Sequence, residues 1–243
     1  MNNVGVLAIM KNEAMNIREW LDHYFWIGAD RIFLIDNGSD DNSVELVRSH
    51  PLSDRVDLLL RPEPHRQGHH YREAYDLLKI RERVEWLIIA DIDEFWFRKD
   101  GGSIKELLSR YHVVDLVYTN WSVFGSNGFD HHPASLRRDL TMRRPKLAAH
   151  ENTKWICRTS ALRAEQIYTH KIRDIDSRRV ISDNVELQLN HYVIQSREYF
   201  EKVKMVRGDA SRAENDGIRD WGYFEARDVA CTATDTTLKD LVV

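Results

Sequence analysis

Cysteine is nearly missing from these 243 residues, with Cys157 and Cys231 the whole complement. Two thiols so far apart in sequence make no disulfide framework, and reduced thiols in a cytoplasmic protein are the expectation. No apolar run approaches the ~20 residues of a spanning helix, so no transmembrane segment is expected. Met1-Asn2-Asn3 carries no basic n-region and leads straight into a strand pattern, which argues against a secretory signal. An excess of one charge is lacking too: 35 Lys and Arg face 39 Asp and Glu, for a formal charge of -4. Nucleic acid is therefore not expected as the main partner. Gly-x-Gly-x-x-Gly, the Walker loop and the Gly-x-Ser-x-Gly elbow are all absent. Dinucleotide binding, P-loop hydrolysis and α/β-hydrolase chemistry thus lack support.

What is present is alternation. Val4-Gly5-Val6-Leu7-Ala8-Ile9-Met10 reads as a buried strand that stops at Lys11-Asn12-Glu13. Ile17, Trp20, Leu21 and Tyr24 repeat at helical spacing, with Gly28 as the stop. Further strands are expected at 31–35, 56–60, 86–96 and 115–121, with helices beginning near Ser43, over 67–84 and after Ser103. Such alternation implies a mostly parallel, Rossmann-like α/β sheet flanked by helices. After residue 121 the alternation fails, and an irregular second half begins. In parallel sheets the ligand lies beyond the carboxyl ends of the strands. Lys11-Asn12-Glu13, Asp36-Asn37 and Asp91-Ile92-Asp93 occupy those ends and together describe one crevice.

The sharpest signal is Trp86-Leu87-Ile88-Ile89-Ala90-Asp91-Ile92-Asp93-Glu94, an apolar strand running into three carboxylates. An extended backbone would point Asp91 and Asp93 the same way. Buried carboxylates need a positive partner, either a hydrogen-bonding cation or an oxygen-ligated metal such as Mg2+ or Mn2+. Three explanations compete: a structural pair with arginines or a helix cap, an aspartyl phosphatase, and a metal holding the diphosphate of a nucleotide-linked substrate. His191, after the alternating segment 185–189, is a candidate third ligand beside Asp91 and Asp93. His65 and His69 lack the Glu of the zinc-protease pattern, while His131, His132, His150 and His170 fit no pattern. Trp121 and Phe124, beside Gly125 and Gly128, read as core or as an acceptor-stacking platform. The basic cluster Arg137-Arg138 and Arg143-Arg144-Pro145-Lys146 reads as a solvated loop, or as a contact for an anionic substrate or a membrane surface.

Lys11-Asn12-Glu13, Glu19-Trp20-Leu21-x-His23, Asp36-Asn37-x-Ser39-x-Asp41, Asp91-Ile92-Asp93-Glu94-Phe95, Trp121-x-x-Phe124-Gly125 and His191-Tyr192 occur in this order. The series resembles glycosyltransferases related to family 2, in the branch akin to family 92, which have a GT-A fold. The resemblance implies a nucleotide-sugar donor, UDP- or GDP-linked, with Mn2+ or Mg2+ as cofactor and inversion at the anomeric carbon. It implies a hexosyltransferase acting on a saccharide or lipid-linked acceptor, in polysaccharide biosynthesis, with at most peripheral membrane association. By position, Lys11 and Glu13 would sit by the nucleotide and Asp36 on the base. Asp91 would face ribose or metal, Asp93 would ligate the metal, and Gln67 and Tyr71 would line the donor. Relatives often carry Ala-Arg-Asn in that helix, where this chain has Arg66-Gln67-Gly68-His69-His70-Tyr71-Arg72.

An inverting transfer needs a base for the acceptor hydroxyl, and it should come from the irregular half. Among Asp183, Glu186, Asp209 and Asp216, the first choice is Asp209 and the second Asp183. The expected organisation is a GT-A domain over 1–208 and a tail over 209–243 that packs loosely or closes over the site. The alternative functions are a nucleotide-sugar-binding protein without transferase activity and, further off, an Asp-based phosphatase.

Overall fold

The computed structural model describes residues 3–149 and 152–242; His150 lies outside them. In chain order the first half consists of β1 Val4–Met10, α1 Ile17–Trp26, β2 Arg31–Asp36, α2 Ser43–Arg48, β3 Val56–Leu60, α3 Gln67–Leu77, α4 Ile80–Arg83, β4 Trp86–Ile89, β5 Glu94–Arg98, α5 Ile104–Ser109 and β6 Leu116–Val123. The second half has α6 Leu136–Asp139, β7 Met142–Arg143, β8 Thr153–Arg158, β9 Val180–Ser182, β10 Leu187–His191, α7 Arg197–Tyr199 with a π-helical continuation Phe200–Lys204, α8 Trp221–Asp228, β11 Ala233–Thr234 and α9 Thr237–Leu241.

The main sheet runs β3-β2-β1-β4-β8-β6-β10-β5, with β9 also on β6. Strands β1, β2, β3 and β4 pair in parallel. β8 is antiparallel to both β4 and β6, so β6 points the same way as β4; β10 then pairs parallel to β6. Two reversals cancel, and β1, β2, β4, β6 and β10 all end on one edge. This is the mostly parallel α/β sheet flanked by helices that the alternation implied.

Alternation within the buried strands divides the core into two layers. Val6 and Ala8 of β1 pack with Ile17, Trp20, Leu21 and Tyr24 of α1, while Leu7 and Ile9 face Tyr71, Ala74 and Tyr75 of α3. Each of the α1 side chains is fully buried and contributes roughly 1.5–3 kcal/mol by leaving water. Gly28, at φ +100, closes α1 in a conformation that a side chain would strain.

Two local expectations need correction. The helix over 67–84 is broken: Lys79 is left-handed (φ 49, ψ 46), and Ile80 beyond it is fully buried. The run 86–96 is two strands. Asp91 to Asp93 forms a turn, closed by the Glu94 N–H donating to the Asp91 carbonyl (3.0 Å), and β5 pairs antiparallel with β10. The two aspartates therefore share a direction through a turn, not through an extended strand.

At the other end of the chain, Phe224 of α8 packs on Phe200, ring centroids 5.1 Å apart, and β11 pairs antiparallel with β7. Asp228 accepts from the Ser126 N–H (2.6 Å) and hydroxyl (2.9 Å). Among the described residues no helix is long and apolar enough to cross a membrane.

Candidate functional site

The common edge of the parallel strands opens into a cleft of about 720 Å³. Lys11 and Glu13 follow β1, Asn37 follows β2, Asp91 and Asp93 follow β4, Trp121 and Val123 end β6, and His191 ends β10; all line it. The segment 204–211 crosses opposite them.

Asp91 is held from beneath. Its Oδ2 accepts from Lys154 Nζ (2.7 Å), and its Oδ1 from Gln67 Nε2 (3.3 Å) and the Tyr71 hydroxyl (3.4 Å). Lys154 is fully buried, and it reaches this end because β8 runs against its neighbours and so begins where they stop. Burial, the largest influence, pushes the Asp91 carboxyl up, but the charge and hydrogen bond of Lys154 together with His170 leave Asp91 below the usual carboxylate range. The same ammonium lies 3.4 Å from Glu94 Oε2, which also accepts the Asp91 N–H (2.9 Å). Burial dominates at Glu94 and raises it to about 7, with Lys154 opposing. Glu94 thus serves as both cap and salt-bridge partner.

Asp93 has a different partner. Lys204, from the π-helical turn, ion-pairs with its Oδ2, and His191 Nε2 stands 3.5 Å from the same oxygen. Burial raises the Asp93 carboxyl, yet Lys204 and His191 together hold it well below the carboxylate range. Burial in turn lowers the Lys204 ammonium, only partly offset by Asp93.

Glu13 is buried and ion-pairs with Arg207, with further donors from Asn16 Nδ2 (2.8 Å) and the Tyr199 hydroxyl (2.9 Å). Gln67 joins α3 to the crossing segment, its Oε1 accepting from the Ser211 hydroxyl (2.7 Å). Asp36 is buried one residue before the cleft-lining Asn37 and accepts the Gly38 and Ser39 N–H groups (3.3 Å each).

Of the two candidate bases, Asp209 lines the cleft. Its Oδ1 accepts the N–H groups of Ser211 (2.8 Å) and Arg212 (2.9 Å), and its Oδ2 meets Arg219 at 3.4 Å. Asp183 is not among the lining residues; it accepts from the Tyr111 hydroxyl (3.1 Å) and the Val185 and Glu186 N–H groups (2.8 and 2.9 Å). Trp121 lines the cleft, its ring 4.3 Å from that of His191. Phe124 does not; it is buried against Tyr192, centroids 5.0 Å apart. His65 and His69 face different carboxylates, Asp216 (3.4 Å) and Glu73 (3.6 Å).

Sequence reading missed Lys154 and Lys204. The unpaired Asp91 and Asp93 demanded cations, but nothing in the local pattern of either lysine named it as one of them. Among the described residues no three His, Cys, Asp or Glu side chains are arranged to hold an ion alone. Asp93 and His191 do bring a carboxylate and an imidazole, donor types that suit a divalent ion of the Mn2+ kind, to within 3.5 Å of each other in the cleft.

The sequence profile of glycosyltransferase family 92 matches residues 7–221. A family 92 protein of Oryza sativa subsp. japonica is 28% identical over 230 residues, covering 90% of this chain and 39% of that protein. One of Arabidopsis thaliana is 25% identical over 276 residues, covering 98% of this chain and 46% of that protein. The chain thus spans less than half the length of these relatives. Among solved structures, S. aureus TarS 1-349 in complex with UDP-GlcNAc has a TM-score of 0.49 at 13% identity, covering 95% of this chain and 73% of that one. Glucosyl-3-phosphoglycerate synthase from Mycobacterium tuberculosis, in complex with Mn2+, UDP and glucosyl-3-phosphoglycerate, has a TM-score of 0.37 at 11% identity, covering 66% and 58%. With the family profile spanning most of its length, the chain belongs to glycosyltransferase family 92.

Proposed function

We propose that this protein is an inverting glycosyltransferase that moves a sugar from a UDP- or GDP-linked donor to a saccharide or lipid-linked acceptor. Family membership supports the transferase class. The observation that carries the reading is the cleft at the strand ends, where Asp91, Asp93 and His191 meet Lys11, Gln67 and Lys204. In this reading the nucleotide lies over β1 and β2, against Lys11, Glu13 and Asn37, with Asp36 fixing the turn beneath the base. Gln67 and Tyr71 orient Asp91 toward the ribose. Asp93 and His191 would hold Mn2+ or Mg2+, which when bound supplies Lewis-acid neutralisation of the leaving diphosphate.

The chain's own cations serve the same end. Lys204 and Lys11 bring positive charge to the donor phosphates in a cleft partly closed to water, where each charge acts more strongly than in solvent. Trp121 presents an aromatic face to the acceptor sugar, whereas Phe124 supports that wall from behind. Asp209 takes the proton of the acceptor hydroxyl through Oδ2, its less heavily engaged oxygen, as that hydroxyl attacks the anomeric carbon. The transferase domain is assigned to 1–208, with 209–243 packed along the acceptor side.

Calorimetric titration tests the donor half of this reading. UDP or GDP should bind with a stoichiometry near one, tighter with Mn2+ than in EDTA. Failure of both nucleotides to bind under either condition would sink it. Nucleotide binding without any sugar transfer across an acceptor panel would leave a binding protein instead.

A further inference from the structure

The basic stretch 137–146 divides into three fates in the fold. Arg137 Nε bonds Glu19 (3.1 Å) and Arg143 Nε bonds Asp235 (2.7 Å), so both are committed to structure. Arg138 and Lys146 are exposed. Arg144 alone lines the cleft. Its backbone N–H donates to the Val123 carbonyl (2.9 Å), and Ala148 N–H donates to the Trp121 carbonyl (2.9 Å), so this segment runs along the end of β6. Arg144 Nε is buried with no hydrogen-bond partner, and so is Trp121 Nε1 on the same wall.

A second arginine comes from the opposite end of the chain. Arg227 of α8 also lines the cleft, its guanidinium stacked 3.3 Å over the Tyr223 ring. One turn later the Cys231 thiol approaches the same Val123 carbonyl (3.7 Å), which brings this end of α8 to the Arg144 segment. Among the described residues neither guanidinium has a carboxylate within ion-pair distance, although Arg207 and Arg219 in the same cleft both do. The nearby Asp228 is occupied by Ser126. Two arginines without a carboxylate partner thus line one cavity, and two buried unpartnered N–H donors belong to residues of its wall. Guanidinium groups without a carboxylate are the donors that an oxyanion pairs with most strongly, by charge-assisted hydrogen bonds.

We infer that Arg144 and Arg227, beside Trp121, form a subsite for an anionic group on the acceptor, a phosphate or a carboxylate. The acceptor is then an acidic or phosphorylated saccharide rather than a neutral glycan. This rests on the transferase reading and names the acceptor class of that cleft. The donor end keeps its own charges: Asp93 engages Lys204, and Glu13 engages Arg207. A bidentate guanidinium clamp would also orient the acceptor, which a nonspecific positive field does not.

The test compares ligands that share one hexose skeleton. Glucose, glucuronate and glucose 6-phosphate are titrated by saturation-transfer NMR into protein preloaded with UDP and Mn2+. The two anions are expected to bind at least about tenfold more tightly than glucose, with the advantage lost in Arg144→Gln/Arg227→Gln and UDP affinity unchanged. Which anion binds better distinguishes a phosphorylated acceptor from an acidic one. Equal binding of all three, or an advantage that persists in the double variant, overturns the inference. Arg227→Gln, on a partly exposed helix face, decides the matter if the double variant does not fold. Loss of UDP binding in the wild type would instead defeat the donor reading, while the effect of the arginine variants on anion binding still decides this one. Arginine-dependent binding to phosphatidylglycerol vesicles without discrimination among the sugars would assign the pair to a membrane surface and overturn it as well.

Discussion

Lys204 and His191 converge on a single oxygen of Asp93: the Lys204 ammonium ion-pairs with Oδ2, and His191 Nε2 lies 3.5 Å from it. One comes from a π-helical turn, the other from the end of a core strand, so the contact ties the crossing segment to the sheet. Single π turns inside helices are frequent at functional sites.

Lys204 occupies the charge-compensating position that a divalent ion would share. Lys204→Ala should therefore bind Mn2+ more tightly than the wild type in the absence of nucleotide, by about tenfold or more. Free Mn2+ measured by electron paramagnetic resonance reads this directly. Equal or weaker affinity in the variant would show that Lys204 and the ion do not compete.

Lys154 is the cation beneath Asp91 and Glu94, fully buried, and among the described residues no other cation lies within ion-pair distance of either carboxylate. Lys154→Met should lower the unfolding free energy in urea by about 3–5 kcal/mol, because one partner of a buried charge cluster is removed and the others stay. Adding Glu94→Gln should recover part of the loss. A single variant as stable as the wild type would mean that the cluster is not balanced through Lys154.

Asp209→Asn isolates the proposed base. Turnover should fall by about a hundredfold or more, while the donor dissociation constant stays as in the wild type. Its Oδ1 contacts with Ser211 and Arg212 need only an acceptor oxygen, which asparagine retains. Retention of full turnover would move the role to another carboxylate of the cleft, with Asp216 the next to examine.

Much of the sheet was legible from residue type alone. The runs at Val4–Met10 and Val56–Leu60 form strands with the bounds their patterns implied: the first is buried along its whole length and reads as an unbroken apolar run, the second is the half-buried edge strand and carries Asp57 among its apolar residues. The break at Lys79 was not legible: a left-handed lysine carries no compositional mark, and burial of Ile80 is a tertiary demand. Asp91 and Asp93 were found through their cost in a buried setting, and His191 through its place after an alternating run. Their cations were not, because the positions of Lys154 and Lys204 follow from strand direction in β8 and from a π turn. Phe124 and Trp121 differ for a similar reason. One faces the core and the other the cleft, and three residues of sequence separation did not say which.

The most direct test is nucleotide diphosphate release from a panel of UDP- and GDP-sugars by the wild type and by Asp93→Ala, with folding of both checked by thermal melting. At least one donor should turn over in Mn2+ or Mg2+, and a folded Asp93→Ala should lose about a hundredfold or more of that rate. Undiminished release by the folded variant, or full activity of the wild type in excess EDTA, would contradict a metal-assisted transfer at Asp93.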